Sequence, residues 1–119
     1  MIANNIADFI AMNAIRRPLR AALIGDGRWL DYRQLERGML AVAAALQREG
    51  VRRGDIVGLA MHDDVDHVVT LLAIARLGAI LLPMDARWTG VEKQNVARHF
   101  EARIVVAATS THAAWRRRR

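Results

Sequence analysis

The chain has 119 residues, 53% of them hydrophobic and 25% charged, which suits one domain with one core and is too short for two of ordinary size. It contains no cysteine, so disulfides, thiolate catalysis and Cys-type zinc sites are excluded, and a reducing cytoplasm is the expected setting. The formal charge of +6 invites a polyanion partner, yet four of the 18 basic residues are the terminal run Arg116–Arg119, and the 14 that remain exceed the 12 acidic residues by only two. A body so nearly neutral is expected to bind no nucleic acid, and the arginine run reads as a solvated tail.

The opening MIANNIADFIAMNAIRRP has no basic leader, and Asn4, Asn5, Asp8 and Asn13 interrupt its apolar residues, so it does not read as a signal peptide. No apolar run approaches the roughly 20 residues of a membrane-spanning helix, and no membrane association is expected. Ile6, Phe9, Ile10 and Ile15 recur at near-helical spacing before Pro18, which predicts an amphipathic helix over residues 5 to 16. Two short apolar runs around Gly25, Asp26 and Gly27 then predict a hairpin, because glycine accepts the positive φ of a tight reversal.

Asp31 can cap the next helix, with Gln34 three residues on completing a capping box. Tyr32, Leu35, Met39, Val42 and Leu46 form one apolar stripe that lasts to Glu49, and Gly50 is the helix stop. From there strands and helices alternate. Ile56 to Met61 reads as a strand, Asp64 to Leu77 as a helix stopped by Gly78, and Ala79 to Leu82 as a second strand, interior to its sheet and ended by Pro83. Thr89 and Glu92 suggest another capping box, opening a helix to about His99, and Ile104 to Ala107 reads as a third strand. The strand starts fall 23 and 25 residues apart, which is one βαβ crossover each time. The expected fold is therefore α/β, a parallel βαβαβ unit preceded by a helix and a β-hairpin, with helices over both faces of the sheet. Residues 1 to 108 form the organised part, and 109 to 119 a disordered Arg-rich tail.

In such sheets ligands gather at the carboxyl ends of the strands, here HDDVDH (62 to 67), PMDARWT (83 to 89) and ATSTH (108 to 112). His62 with Asp66, and Asp63 with His67, have the spacing of a metal-binding helix face. Helix capping by Asp63 or Asp64 is the stronger reading, because no third ligand is evident. Gly25 to Gly27 lacks a nucleotide-loop spacing, and Gly50 to Asp55 falls at the amino end of a strand. Ser110, the only serine, stands outside any nucleophile elbow, and Lys93, the only lysine, reads as a solvated helix charge. On these grounds no catalytic, cofactor-binding or metal-ligating residue is assigned.

Three stretches, in order, change the expectation. WLDYRQL (29 to 35) resembles the L-[TS]-Y-x-E-L motif of the adenylate-forming superfamily, and ARLGAILLPMD (75 to 85) resembles its L-K-A-G-x-A-Y-V-P-I-D motif. Between them LQREGVRRGDIVGL (46 to 59) is similar to the family's L-x-x-x-G-V-x-x-G-D-x-V. Leu81, where the longer motif has Tyr, suits the acyl-CoA synthetase branch at least as well as the peptide-synthetase branch. The resemblance covers about residues 5 to 107 and implies a partial amino-terminal subdomain of an AMP-forming acid–thiol ligase. Such enzymes use ATP, Mg²⁺ and commonly coenzyme A to turn a carboxylic acid into an acyl-AMP and then a thioester. The family's T-S-G-T-T-G-x-P-K-G loop and its catalytic lysine belong to later segments. The chain is thus expected to be an inactive piece, from a truncated or frameshifted reading frame or a deliberate truncation, with an unpaired sheet edge beside residues 79 to 82 or 104 to 107 that is prone to self-association. Arg87 and Trp88 would lie near the thiol's entry, although loop packing suits them better. The alternatives are a stand-alone binding module that pairs with a separately encoded remainder and, further off, a nucleic-acid binder using Arg116–Arg119.

Overall fold

The computed structural model describes residues 5–25, 27–62, 64–108 and 113–117. Helix α1 (Ile6–Arg16) starts at Asn5, whose side chain accepts the Ala7 amide while Asp8 reaches back to the Asn5 amide. Strands β1 (Ala21–Gly25) and β2 (Arg28–Asp31) form the expected antiparallel hairpin, with Gly27 at φ 71° in its turn. Asp31 ends β2 and caps α2 (Tyr32–Arg48). Its carboxylate accepts the Gln34 amide at 2.8 Å, and the Gln34 side chain accepts the Asp31 amide at 2.9 Å. Leu35, Met39, Ala43 and Leu46 form the buried stripe of α2, close to the one read from spacing.

The remainder is the alternating unit: β3 (Ile56–Ala60), α3 (Val65–Arg76), β4 (Ile80–Pro83), α4 (Gly90–His99) and β5 (Ile104–Ala108). Gly50 and Gly78 take φ of 91° and 69° after α2 and α3, the left-handed turn that ends a helix without steric penalty. After α4 the same conformation falls on Glu101, at φ 56°, where no glycine marked the boundary.

The strand order is β4-β3-β5-β6, the last being Ala113–Arg117, with β3 parallel to both β4 and β5. The reading of residues 79 to 82 as interior is corrected for this chain, and the unpaired edge falls at the first of its two expected places: β3 is central and β4 stands at the edge of the described sheet, with Ile80 52% exposed. Both are apolar, so hydrophobicity alone does not rank them; β3 is also buried along most of its length, and β4 is not. Strand β6 (Ala113–Arg117) lies within the segment expected to be an unorganised tail and runs antiparallel to β5, pairing Val106 with Trp115. The open backbone edge of β5 supplies the hydrogen-bonding groups that recruit it. Residues 109–112 and 118–119 lie outside the described residues.

Side chains alternate across the sheet. Val57, Leu59, Ile104 and Val106 point into a core shared with α1, α2 and α3, including Met39, Leu46, Val69 and Ile74. On the opposite face Ala60, Met84, Ala97 and Ala102 pack with Leu82, Trp88 and Val105 beneath α4. Helices therefore cover both faces, as the uniformly apolar strands imply. Gly58 is where the second face is tightest, since a Cβ there would meet the Met84 methyl at 3.0 Å and Val105 Cγ2 at 3.2 Å. Among the described residues, no buried side-chain nitrogen or oxygen lacks a hydrogen bond, and no helix is long and apolar enough to cross a membrane.

Candidate functional site

The carboxyl end of the parallel sheet is built from the loop after β3, the loop after β4, and the tip of the β1–β2 hairpin. The hairpin reaches it because Gly25 packs against the start of α3: a Cβ at Gly25 would lie 3.4 Å from Val65 Cγ2. Arg28 completes that approach with an exposed ion pair to Asp66, at 3.3 Å.

At the head of α3, Asp64 is the cap, its carboxylate accepting the His67 amide at 3.0 Å. The His67 ring turns back, with Nδ1 3.2 Å from the Met61 carbonyl oxygen, and the Thr70 hydroxyl donates to the Asp66 carbonyl at 2.7 Å. The spacing of His62 and Asp66 does not make a helix face, because α3 begins at Val65 and leaves His62 in the loop before it. Asp63 lies outside the described residues. Among those described, no group of three or more His, Asp or Glu is placed to hold a metal ion. Capping accounts for the acidic character of this turn.

The loop after β4 carries the most organised polar feature. Met84 is buried and donates its amide to the Leu59 carbonyl at 2.9 Å, which fixes the chain as it leaves the sheet. Asp85 then accepts three hydrogen bonds from Arg87: the backbone amide at 2.8 Å, Nε at 3.1 Å and a terminal nitrogen at 2.8 Å. The Arg87 side chain is the first cause, and its backbone amide the second, that hold the Asp85 carboxyl at about 2, below its ordinary 3.8; burial opposes them, and the charges of Arg87 and His62 help slightly. The same contact raises Arg87. Trp88 is half-buried in the core beneath α4, and Thr89 caps α4 by accepting the Glu92 amide at 3.1 Å. This part of the loop is thus packed and clamped, with the planar guanidinium lying along a carboxylate two residues away.

Spacing rules missed the Asp85–Arg87 clamp, because two residues apart in a loop is not a helix or strand period. The available signal was an Asp-x-Arg immediately after a strand-ending Pro-Met. Lys93 is half-buried within α4 and makes no ion pair among the described residues, and Ser110 lies outside the described residues. The glycine pair at 50 and 54 falls at the amino end of β3, as expected, and the turn at Gly27 belongs to the hairpin. Both helix starts at the carboxyl end are closed by their own side chains, Asp64 and Thr89.

The sequence model of the AMP-binding enzyme family matches residues 10–118. The chain is 34% identical over 101 residues to a 4-chlorobenzoate–CoA ligase of an Arthrobacter species, covering 83% of this chain and 19% of that enzyme. It is 29% identical over 93 residues to tyrocidine synthase 1 of Brevibacillus parabrevis, covering 78% of this chain and 8% of the synthase. Among solved structures it resembles the amino-terminal subdomain of NpsA from Klebsiella oxytoca in complex with anthranilyl-AMSN, with a TM-score of 0.75 and 29% identity over 85% of this chain and 26% of that one. The chain thus spans a small part of each relative it matches.

Proposed function

The chain belongs to the AMP-binding enzyme family, and from that premise we propose that it serves as the first structural layer of an AMP-forming acid–thiol ligase, one that activates a carboxylic acid with ATP and passes it to coenzyme A. The observation that carries this reading is the family match over residues 10–118 on a βαβαβ unit whose three motif stretches fall on structural joints. WLDYRQL spans the β2–α2 cap, LQREGVRRGDIVGL the α2–β3 turn, and ARLGAILLPMD the α3–β4 turn and the loop that holds Asp85. The work of these residues is positional. They fix helix ends and strand starts so that a neighbouring catalytic segment has a rigid sheet to rest on.

The resemblance to acid–CoA ligases favours coenzyme A as the thiol, and Leu81, which stands where the longer motif has Tyr, suits that branch at least as well as the peptide-synthetase branch. A carrier-protein thiol is the second reading, and the resemblance to tyrocidine synthase 1 is what favours it. In either case the isolated 119-residue chain is expected to form no acyl-AMP. The test is ATP–pyrophosphate exchange by the purified chain with a panel of aromatic and aliphatic acids and Mg²⁺. Exchange at the level of the buffer control is the expected result. Acid-dependent exchange above it would show that reactive machinery resides in these residues, and the scaffold reading would fall.

A further inference from the structure

A second surface lies at the opposite end of the sheet. The parallel topology brings the last turns of α2, α3 and α4, with the loops that follow them, to the amino ends of β3, β4 and β5. That end gathers Arg48, Arg52, Arg53, Arg76, Arg98 and Arg103, all exposed, from three separate stretches of sequence. The loops adjoin one another. Gly54 donates its amide to the Gly78 carbonyl at 3.0 Å, and the Arg53 side chain lies 3.1 Å from where a Gly78 Cβ would stand. The Arg103 guanidinium lies 2.7 Å from the corresponding position at Gly50, so α2 ends beneath it. Strand β6 adds to the same end, since its register sets positions 116 and 117 opposite Val105 and Ile104.

Arginines near helix carboxyl ends ordinarily serve as caps or answer the dipole. Here the helix ends close on their own backbone. Gly50 and Val51 donate to Gln47 and Leu46, Gly78 and Ala79 to Ala75 and Ile74, and Glu101 and Ala102 to Arg98 and Ala97. Arg52, Arg53 and Arg103 moreover stand in loops, beyond the last turns. None of the six makes an ion pair among the described residues. The acidic residues of this end are Glu49, Asp55 and Glu101, and the Asp55 carboxylate is already taken by the Arg52 amide at 2.8 Å.

We propose that this amino-end face, Arg48, Arg52, Arg53, Arg76, Arg98 and Arg103 across three adjoining loops, docks a carboxylate-rich segment of another protein. The planar guanidinium fork pairs with carboxylates in bidentate fashion; the Arg103 fork lies over Gly50, and the aliphatic stem of Arg53 lies over Gly78. Nucleic acid suits the face less well. No helix start points its amides outward here, and the exposed ring of Phe100 is already engaged edge-on by His99, with centroids 4.8 Å apart. The face does not depend on the ligase reading.

The test uses the 119-residue chain, a fluorescent glutamate-rich peptide and a fluorescent oligothymidylate, with binding followed by anisotropy at about 50 mM salt, where screening is modest. Two charge-reversal pairs change the net charge equally: Arg52→Glu with Arg98→Glu on the face, and Arg33→Glu with Arg37→Glu on the exposed side of α2. The peptide is expected to bind, and the face pair to weaken it about tenfold while the α2 pair costs less than about threefold. Arg→Gln versions of the same pairs repeat the comparison should a reversal impair folding. Absence of peptide binding, equal loss from the two pairs, or tighter binding of the oligothymidylate with the same pattern of loss would each overturn the proposal.

Discussion

Asp85 and Arg87 show how a single residue's ionisation reports on a loop. The carboxyl of Asp85 sits at about 2 because three Arg87 donors stabilise its charged form. A carboxyl depressed in the folded state contributes stability above its ordinary 3.8, and that contribution fades as pH falls towards about 2. Since Arg87 is highly exposed, solvent screens the pair and its effect on overall stability is small. Its effect on titration is direct. In a carbon-detected NMR titration the Asp85 carboxyl is expected to titrate near 2 in the parent chain and to rise towards its ordinary value in Arg87→Ala, where the side-chain donors are lost. An unchanged midpoint would show that the backbone amide, rather than the guanidinium, controls this carboxyl.

Among the elements, α2 has the best-defined start. Asp31 is 6% exposed, ends β2 and caps α2, and exchanges two hydrogen bonds with Gln34. Asp31→Ala leaves the Gln34 amide without its acceptor, and is expected to destabilise the chain by about 1 to 2 kcal/mol, read from the shift in a urea melt. A loss indistinguishable from zero would mean that hairpin and helix are joined by packing alone. This joint was legible in the sequence because capping chemistry is local: Asp31, Gln34, Gly50, Gly78 and Thr89 each act within a few residues of themselves. The end of α4 falls at His99, where it was expected, although Glu101 beyond it occupies a left-handed position with no glycine to mark it. The Asp85–Arg87 clamp and the arginine face were not legible. One is a loop contact without a period, and the other joins residues from three crossovers whose adjacency only the folded sheet creates.

At the scale of the molecule, the order β4-β3-β5-β6 decides which edge is open. The pattern of three apolar strands revealed the parallel unit but could not choose its central strand, since the same residues suit either position. The answer also changes the expectation of self-association. Ile80 and Met84 donate their amides inward to Asp55 and Leu59, so the residues between them alternate outward. Of those, Leu81 offers an amide and Pro83 has none, which blunts the edge. Pro83→Val is expected to restore a second outward donor and to increase concentration-dependent association in sedimentation velocity; identical distributions for parent and variant would show that association, where it occurs, uses another surface.

The central position of β3 also bears on the order in which the protein can mature during synthesis. Residues 56–60 leave the ribosome before either flanking strand exists, and β5 closes the second flank only when residue 108 has followed. Until then the nascent chain can settle its hairpin and α2, whose bonds are local, while the innermost strand waits with both sides unmatched. A stretch that ends as the most protected part of the sheet therefore passes through the most vulnerable interval of translation, when a chaperone would find it.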